Sequence, residues 1–159
     1  MTTTAPTPPT APIREDHARL VVHIQHLRAA ARELPELSHE ERALLVQRVA
    51  GFLRGSLVPH ADAEEHVLYP EVARILGHTQ ATAPMTFDHL AIKSRIAMLE
   101  EADVEDVSYL QELLYGLYAL VSVHFWKEEE IYLPLLDAEG GTDLRQVLQA
   151  MEAVAPHGH

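Results

Sequence analysis

The chain has 159 residues and a formal net charge of −12, with 24 Asp and Glu against 12 Lys and Arg. This length suits one domain with a real core, and so acidic a surface repels phosphate backbones and argues against nucleic acid as a partner. Cysteine is absent, which excludes disulfides and thiolate ligands, and no apolar run reaches the roughly 20 residues that span a bilayer, so we expect a cytoplasmic protein without membrane contact.

The N-terminal half begins with a Thr/Pro-rich segment, residues 1–11, which we predict to be a disordered arm rather than a signal peptide. Beyond it, apolar residues recur at helical spacing and alternating strand patterns are missing. The first helix is predicted to begin near Pro12 and to end at Pro35. Ser38 and Glu41 form a capping-box pattern that opens the second helix.

The second helix is predicted to bend around Pro59 and to end near Gly77. Pro84 opens the third helix, and Asp103 is the expected cap of the fourth, which ends at Gly140. Four long helices with short connections predict an all-α, up-down-up-down four-helix bundle.

The C-terminal stretch TDLRQVLQAMEAV, residues 142–154, is predicted to be a short further helix. The predicted organisation is therefore a disordered arm at 1–11, the helical bundle at 12–140, and a short C-terminal helix with a frayed tail at 141–159.

Two segments repeat one pattern. Residues 60–70, HADAEEHVLYP, and residues 124–134, HFWKEEEIYLP, each place Glu-Glu four and five residues after His and Pro ten residues after it. The other two helices start as PIREDH (12–17) and PMTFDH (84–89), with Asp-His four and five residues after Pro. We infer that one helix pair is used twice, which predicts an internal two-fold repeat in the bundle.

Residues four apart lie on one face of a helix, so the His and the first Glu of each repeat point the same way. The histidines of the two Pro-x-x-x-Asp-His starts lie on the apolar faces of their helices, and each stands about as far from its connecting loop as its partner. Buried imidazoles and carboxylates need a partner, and a metal ion satisfies both. His23, His26 and His66 fall off these faces and are interpreted as surface residues. The predicted metal site consists of His17, His60, Glu64, His89, His124 and Glu128.

The surroundings of this site leave several alternatives open. Tyr132, four residues after the last glutamate ligand, is either a hydrogen-bond donor to the site or a core aromatic residue. Asp16 and Asp88 could hold neighbouring groups, but we prefer to interpret them as acidic residues that favour the positive end of a helix dipole. Glu65 and Glu129 point away from their glutamate neighbours, and we interpret them as solvated surface residues rather than partners of the histidines.

The arrangement resembles the hemerythrin-like family, also called the HHE cation-binding domain, over about residues 12–137. The pattern is His, His-x-x-x-Glu, His, His-x-x-x-Glu on four successive helices, as in the bacterial branch of the family. The resemblance implies two iron ions in a non-heme di-iron centre, bridged by oxide or hydroxide and by Glu64 and Glu128. The remaining ligands implied are His17, His60, His89 and His124.

The chain departs from the oxygen carriers of that family, which have five histidine ligands. The residue four after His89 is Lys93 rather than His, and His124 is followed at four residues by Glu128 rather than at five by Asp. The resemblance therefore favours a centre with open positions that binds or reacts with O2, H2O2 or NO.

Three functional classes stay open. The first is an enzyme with peroxide-decomposing (catalase-like) or oxidase-type activity. The second is an oxygen or NO sensor or carrier without turnover, and the third is iron or zinc binding with a structural or storage role. The expected partner is a small molecule, and the expected assembly is a monomer or a weak homodimer.

Overall fold

The described part of the chain in this computed structural model comprises residues 7–139 and 149–150, and its regular structure is entirely helical. The first long helix is α1 (Ala11–Glu33). The second is built from α2 (His39–Phe52), α3 (Val58–Ala63) and α4 (Tyr69–Leu76). The third is α5 (Ala83–Glu101), and the fourth is built from α6 (Val107–Lys127) and α7 (Leu133–Glu139). The predicted all-helical bundle is confirmed, whereas the predicted helix at 142–154 lies outside the described residues except for 149–150, which are helical.

Local signals set most of the helix starts. Ser38 and Glu41 form the predicted capping box, in which the Ser38 N–H donates to the Glu41 carboxylate at 2.8 Å. The predicted cap of the fourth helix at Asp103 is wrong. The cap is Asp106, which accepts from the Tyr109 N–H at 3.0 Å, because Asp103 belongs to the turn before the helix and accepts from a backbone N–H there.

The second and fourth long helices continue through wide π turns rather than breaking. These turns lie at Leu53–Leu57, Glu64–Leu68 and Glu128–Tyr132. Each ends two residues before a proline, at Pro59, Pro70 or Pro134. A proline ring has no N–H and clashes with the carbonyl four residues earlier, and one extra residue in the turn relieves that clash while the helix goes on. The proline that closes each sequence repeat therefore marks a π turn.

Helix α1 packs mainly on α6, α6 on α5, and α5 on α2. The buried apolar residues form two clusters. The larger includes Leu20, Ile24, Leu27, Ile92, Ile96, Leu117, Val121 and Phe125, and the smaller includes Ile13, Leu68, Tyr69, Val72, Met85, Leu133 and Leu136. Along α1 and α5, the predicted histidine ligands stand between the two clusters, so polar residues interrupt an otherwise apolar core. None of the described helices combines the length and apolar character that crossing a bilayer requires.

Candidate metal centre

The structure brings all six predicted ligands together inside the bundle. Every one of them is at most 8% exposed. Their potential ligand atoms form two groups, each with all atoms within 4.8 Å of one another. The groups are His17, His60 and Glu64, and Glu64, His89, His124 and Glu128. Because Glu64 belongs to both groups, its carboxylate lies between two potential cation positions.

The two oxygens of Glu64 face different histidines. Oε1 lies 2.9 Å from His60 Nε2 and 3.4 Å from His17 Nε2, while Oε2 lies 3.3 Å from His89 Nε2. A carboxylate oriented in this way can give one oxygen to each of two cations.

Glu128 has the same arrangement from the opposite helix. Its Oε2 lies 3.4 Å from His17 Nε2, and its Oε1 lies 3.5 Å from His124 Nε2. Both carboxylates therefore present one oxygen to the His17 half of the cluster and the other to the His89 and His124 half.

Three buried atoms of the cluster have no hydrogen-bond partner among the residues that the structure describes: His60 Nε2, Glu64 Oε2 and Glu128 Oε2. His60 Nε2 is close to Glu64 but is not aligned for a hydrogen bond. An unsatisfied buried polar atom costs about 1–3 kcal/mol, so three of them in one cluster need a common partner. Imidazole nitrogen and carboxylate oxygen are ligands that suit iron, manganese and zinc, and the residues present fit such a cation.

The outward Nδ1 atoms of three of the histidines are held by carboxylates. The pairs are His17 with Glu129 at 2.7 Å, His89 with Glu65 at 2.8 Å, and His124 with Asp88 at 3.1 Å. A proton fixed on Nδ1 leaves the Nε2 lone pair free for a metal and sets the ring orientation. The interpretation of Glu65 and Glu129 as solvated surface residues was wrong, because each reaches a histidine on another helix. Asp88 holds a neighbouring group, His124, as the alternative interpretation of this residue predicted.

Each of these carboxylates also meets a cationic residue. Arg14 pairs with Glu129, Lys127 pairs with Asp88, and Lys93 Nζ lies 3.3 Å from Glu65. In every case the cation comes from the same helix as the histidine, three or four residues away. The helix that carries a histidine therefore also carries the charge that anchors its supporting carboxylate.

The two adjacent glutamates of each repeat have different roles. The first, Glu64 or Glu128, faces the interior of the cluster, and the second supports a histidine of the other repeat. Glu65 in the first repeat supports His89, and Glu129 in the second supports His17. The sequence signal for this role is the second Glu of each doublet, but its partner on another helix is visible only in the fold.

The carboxylates set the proton affinity of the cluster. Burial lowers the pKa of His17, but hydrogen bonds with Glu129 and Glu64 and the charges of Glu64 and Glu128 raise it, to about 10 overall. Burial raises the pKa of the Glu64 carboxyl, whereas the charge of His60 and hydrogen bonds from the surrounding histidines hold it well below its usual range. Protons and a metal cation therefore compete for the same atoms.

Tyr69 also reaches the cluster, which the sequence patterns did not predict. Its hydroxyl donates to Glu128 Oε1 at 2.7 Å and lies 3.3 Å from His89 Nε2. Burial, followed by the charges of Glu64 and Glu128, raises the pKa of the phenol, so Tyr69 stays protonated at neutral pH. Of the two alternatives for Tyr132, the structure supports the core aromatic residue, since Tyr132 packs on the smaller apolar cluster and its hydroxyl donates to the backbone carbonyl of Ala81 at 3.2 Å.

The π turns explain why Tyr69 reaches the cluster and Tyr132 does not. Within each turn the residue five after the glutamate, rather than four, continues its face, because the backbone N–H bonds to the carbonyl five residues earlier. That position holds Tyr69 after Glu64 and Leu133 after Glu128. The prolines at 70 and 134 were the signal that could have revealed the shift.

A small void lies beside the cluster. It measures about 10 Å³ and is bordered by His60, Glu64, His89 and His124. Its apolar walls include Leu57, Ile92 and Phe125. A cavity of this size has room for about one water-sized molecule.

Comparison with known proteins identifies the family. Residues 9–155 match the family model described as the hemerythrin HHE cation binding domain, and the chain belongs to this family. Searches of curated proteins and of solved structures gave no match. The family description and the buried His/Glu cluster together define a metal-binding helical domain.

Proposed function

We propose that this chain is a non-heme di-iron protein whose centre binds and reacts with small molecules such as O2, H2O2 or NO. The observation that carries the dinuclear assignment is the orientation of the two buried glutamates. Each directs one oxygen to the His17 half of the cluster and one to the His89 and His124 half. A single cation would not need two carboxylates turned in this way.

The up-down-up-down bundle with an internal two-fold repeat is part of the same proposal. It is supported by the exchange of glutamates between the repeats, in which Glu65 supports His89 and Glu129 supports His17. It is also supported by the π turn that follows the first glutamate in both repeats.

The number of ligands predicts a metal centre with open coordination positions, at which a small molecule can react. Six side chains, even with two bridging carboxylates, supply fewer donor atoms than two six-coordinate ions require. The void of about 10 Å³ beside His60, Glu64, His89 and His124 has room for about one water-sized molecule, which supports a small ligand rather than a large substrate.

The chain's own residues would control protons and water around the reaction. An iron pair held there would supply electrons and coordination positions open to the small molecule. Tyr69 holds a proton on its phenol oxygen and places it against Glu128. Leu57, Ile92 and Phe125 keep bulk water from the void, and the carboxylates on Nδ1 keep the imidazoles in one tautomer.

The test begins with chain loaded anaerobically with Fe(II), followed by metal analysis and an optical spectrum. Mixing with O2 in a stopped-flow instrument, and with H2O2 while evolved oxygen is recorded, then separates binding from turnover. We expect about two irons per chain, rapid oxidation without a long-lived oxygenated state, and peroxide breakdown above that of free iron. His66→Ala is the matched control, because His66 is exposed and its hydrogen bond within the described residues goes to the Asp62 carbonyl.

The alternatives give different results in the same experiment. A stable, reversible oxygen adduct with no peroxide turnover would indicate a carrier or sensor rather than an enzyme. One ion or fewer per chain after full loading would contradict the dinuclear centre and favour a structural or storage role.

A further inference from the structure

The first two helices leave a crevice between them, away from the metal cluster. Its volume is about 360 Å³, within the roughly 300–1,000 Å³ of small-molecule sites. Its floor is formed by Leu27 and Ala30, both buried. The other lining residues are His23, His26, Ala29, Glu33, Leu45, Arg48, Val49 and Phe52. None of the six predicted metal ligands borders it.

The packing of the bundle explains why the crevice is there. Helix α1 packs on α6 and α2 packs on α5, whereas α1 and α2 approach each other less closely. The ring of His23 lies tilted on Phe52, with 4.7 Å between centroids, and so connects the two helices at one end of the opening. The opening is therefore a solvent-open groove with an apolar floor.

The polar residues that line the slot are His23, His26, Glu33 and Arg48, so with neutral histidines one arginine is balanced by one glutamate. The slot therefore lacks the excess of negative charge that marks the chain as a whole, whose net charge is −12. In contrast to Arg14 and Arg54, which pair with carboxylates, Arg48 has no ion pair within residues 7–139. Its guanidinium is thus available to an anion at the mouth of an apolar slot.

We propose that this crevice, the α1–α2 slot, binds a small carboxylate amphiphile. The apolar body would lie on Leu27 and Ala30 and against Val49 and Phe52, and the carboxylate would meet Arg48. A guanidinium presents paired donors that match a carboxylate in a bidentate hydrogen bond. At about 30 Å³ for each water-sized group, the slot holds roughly a dozen non-hydrogen atoms, which fits a medium-chain carboxylate such as decanoate.

Calorimetric titration of the full-length chain with decanoate, below its micelle concentration, tests the proposal. Decanol is the uncharged comparison ligand. We expect decanoate to bind at one site and decanol to bind at least about tenfold more weakly, because a hydrogen bond to a charged group is worth about 1.5–3 kcal/mol and 1.4 kcal/mol is tenfold in affinity.

Three variants locate the binding site. Arg48→Gln should weaken decanoate binding about tenfold without changing decanol binding. Ala29→Trp places a large ring at the exposed edge of the slot and should abolish both. Arg32→Gln, an exposed arginine on α1 that does not line the slot, should change neither.

Equal affinity for decanol and decanoate would overturn the carboxylate assignment, and so would unchanged decanoate binding in Arg48→Gln. No heat of binding at millimolar decanoate would overturn the site itself. Thermal unfolding of each variant identifies any loss of fold, and Arg48→Gln, a substitution on an exposed helix face, keeps the proposal testable if Ala29→Trp does not fold.

Discussion

The Tyr69 hydroxyl donates a 2.7 Å hydrogen bond to Oε1 of Glu128, which belongs to the other sequence repeat. This bond joins the second long helix to the fourth at the centre of the bundle. The same Glu128 oxygen faces His124 at 3.5 Å. A protonated phenol therefore acts directly on a carboxylate that we propose as a bridging ligand.

We predict that Tyr69→Phe keeps the metal but changes the properties of the centre. The ring still fills its place in the apolar cluster, whereas the carboxylate loses a donor, at a cost of about 1–3 kcal/mol in unfolding free energy for the unmatched buried oxygen. The optical spectrum of the iron-loaded chain and its rate of reaction with O2 should both shift. Tyr132→Phe is the control, since its hydroxyl bonds the Ala81 carbonyl instead. Equal spectral shifts in both variants would contradict the assignment.

A second prediction concerns the carboxylates behind the histidines. Glu129→Gln removes the charge that holds His17 Nδ1 at 2.7 Å, and Glu65→Gln does the same for His89 at 2.8 Å. Loss of such a partner lowers metal affinity about 10–100-fold, which competition with a chelator measures. Glu130→Gln is the matched control, because Glu130 is the exposed neighbour of Glu129. A Glu130→Gln effect as large as that of Glu129→Gln would show that general charge, not hydrogen bonding, is responsible.

The sequence predicted that the six candidate ligand side chains lie together, because helical spacing and apolar helix faces are local rules. Residues four apart on a helix share a face whatever the rest of the fold does, and His60 with Glu64 and His124 with Glu128 needed nothing more. Their repetition compensated for the weakness of each short motif. The helix boundaries followed from prolines and caps in the same local way, apart from the shift from Asp103 to Asp106.

The surrounding residues were predicted poorly for two physical reasons. Helical spacing was applied through turns that are not α-helical, which made Tyr132 a candidate donor to the site and left Tyr69 unnoticed. The supporting carboxylates depend on contacts between helices, such as Asp88 with His124, and no sequence spacing reports which surface residue a neighbouring helix will cover. A proline inside an amphipathic helix next to a ligand motif is the sequence signal that corrects the first error.

The third prediction is that metal binding at pH 7 releases protons. The pKa of His17 is raised from 6.5 to about 10 by Glu129, Glu64 and Glu128 against the opposing effect of burial, so its imidazole is protonated in metal-free chain and must lose a proton to bind a cation. Calorimetry of metal binding in two buffers with different ionisation enthalpies counts the protons. No difference between the buffers would contradict a protonated His17.

The raised pKa of His17 also determines how the stability of the metal-free chain changes with pH. Since the folded pKa of His17 lies above its unfolded value, its stabilising contribution is complete below about pH 6.5 and is lost as pH rises through about 10. We expect the melting temperature of the metal-free chain to fall over this interval, and to fall less in His17→Gln. A steeper fall in the variant would reverse the assignment.

The last prediction separates His17 from the other two histidines of the first helix. His17 is buried and lies 3.4 Å from both Glu64 and Glu128, whereas His23 and His26 are exposed. His17→Ala removes one of the three side chains in the group of His17, His60 and Glu64. It leaves the other group, which consists of Glu64, His89, His124 and Glu128, complete. The metal content should therefore fall from about two ions per chain to about one, because only one half keeps enough donors to hold a cation. Metal analysis after identical loading measures this, with His23→Ala and His26→Ala expected to keep the full content. A full complement in His17→Ala, with loss in either of the other variants, would mean that the first helix presents a different face to the cluster.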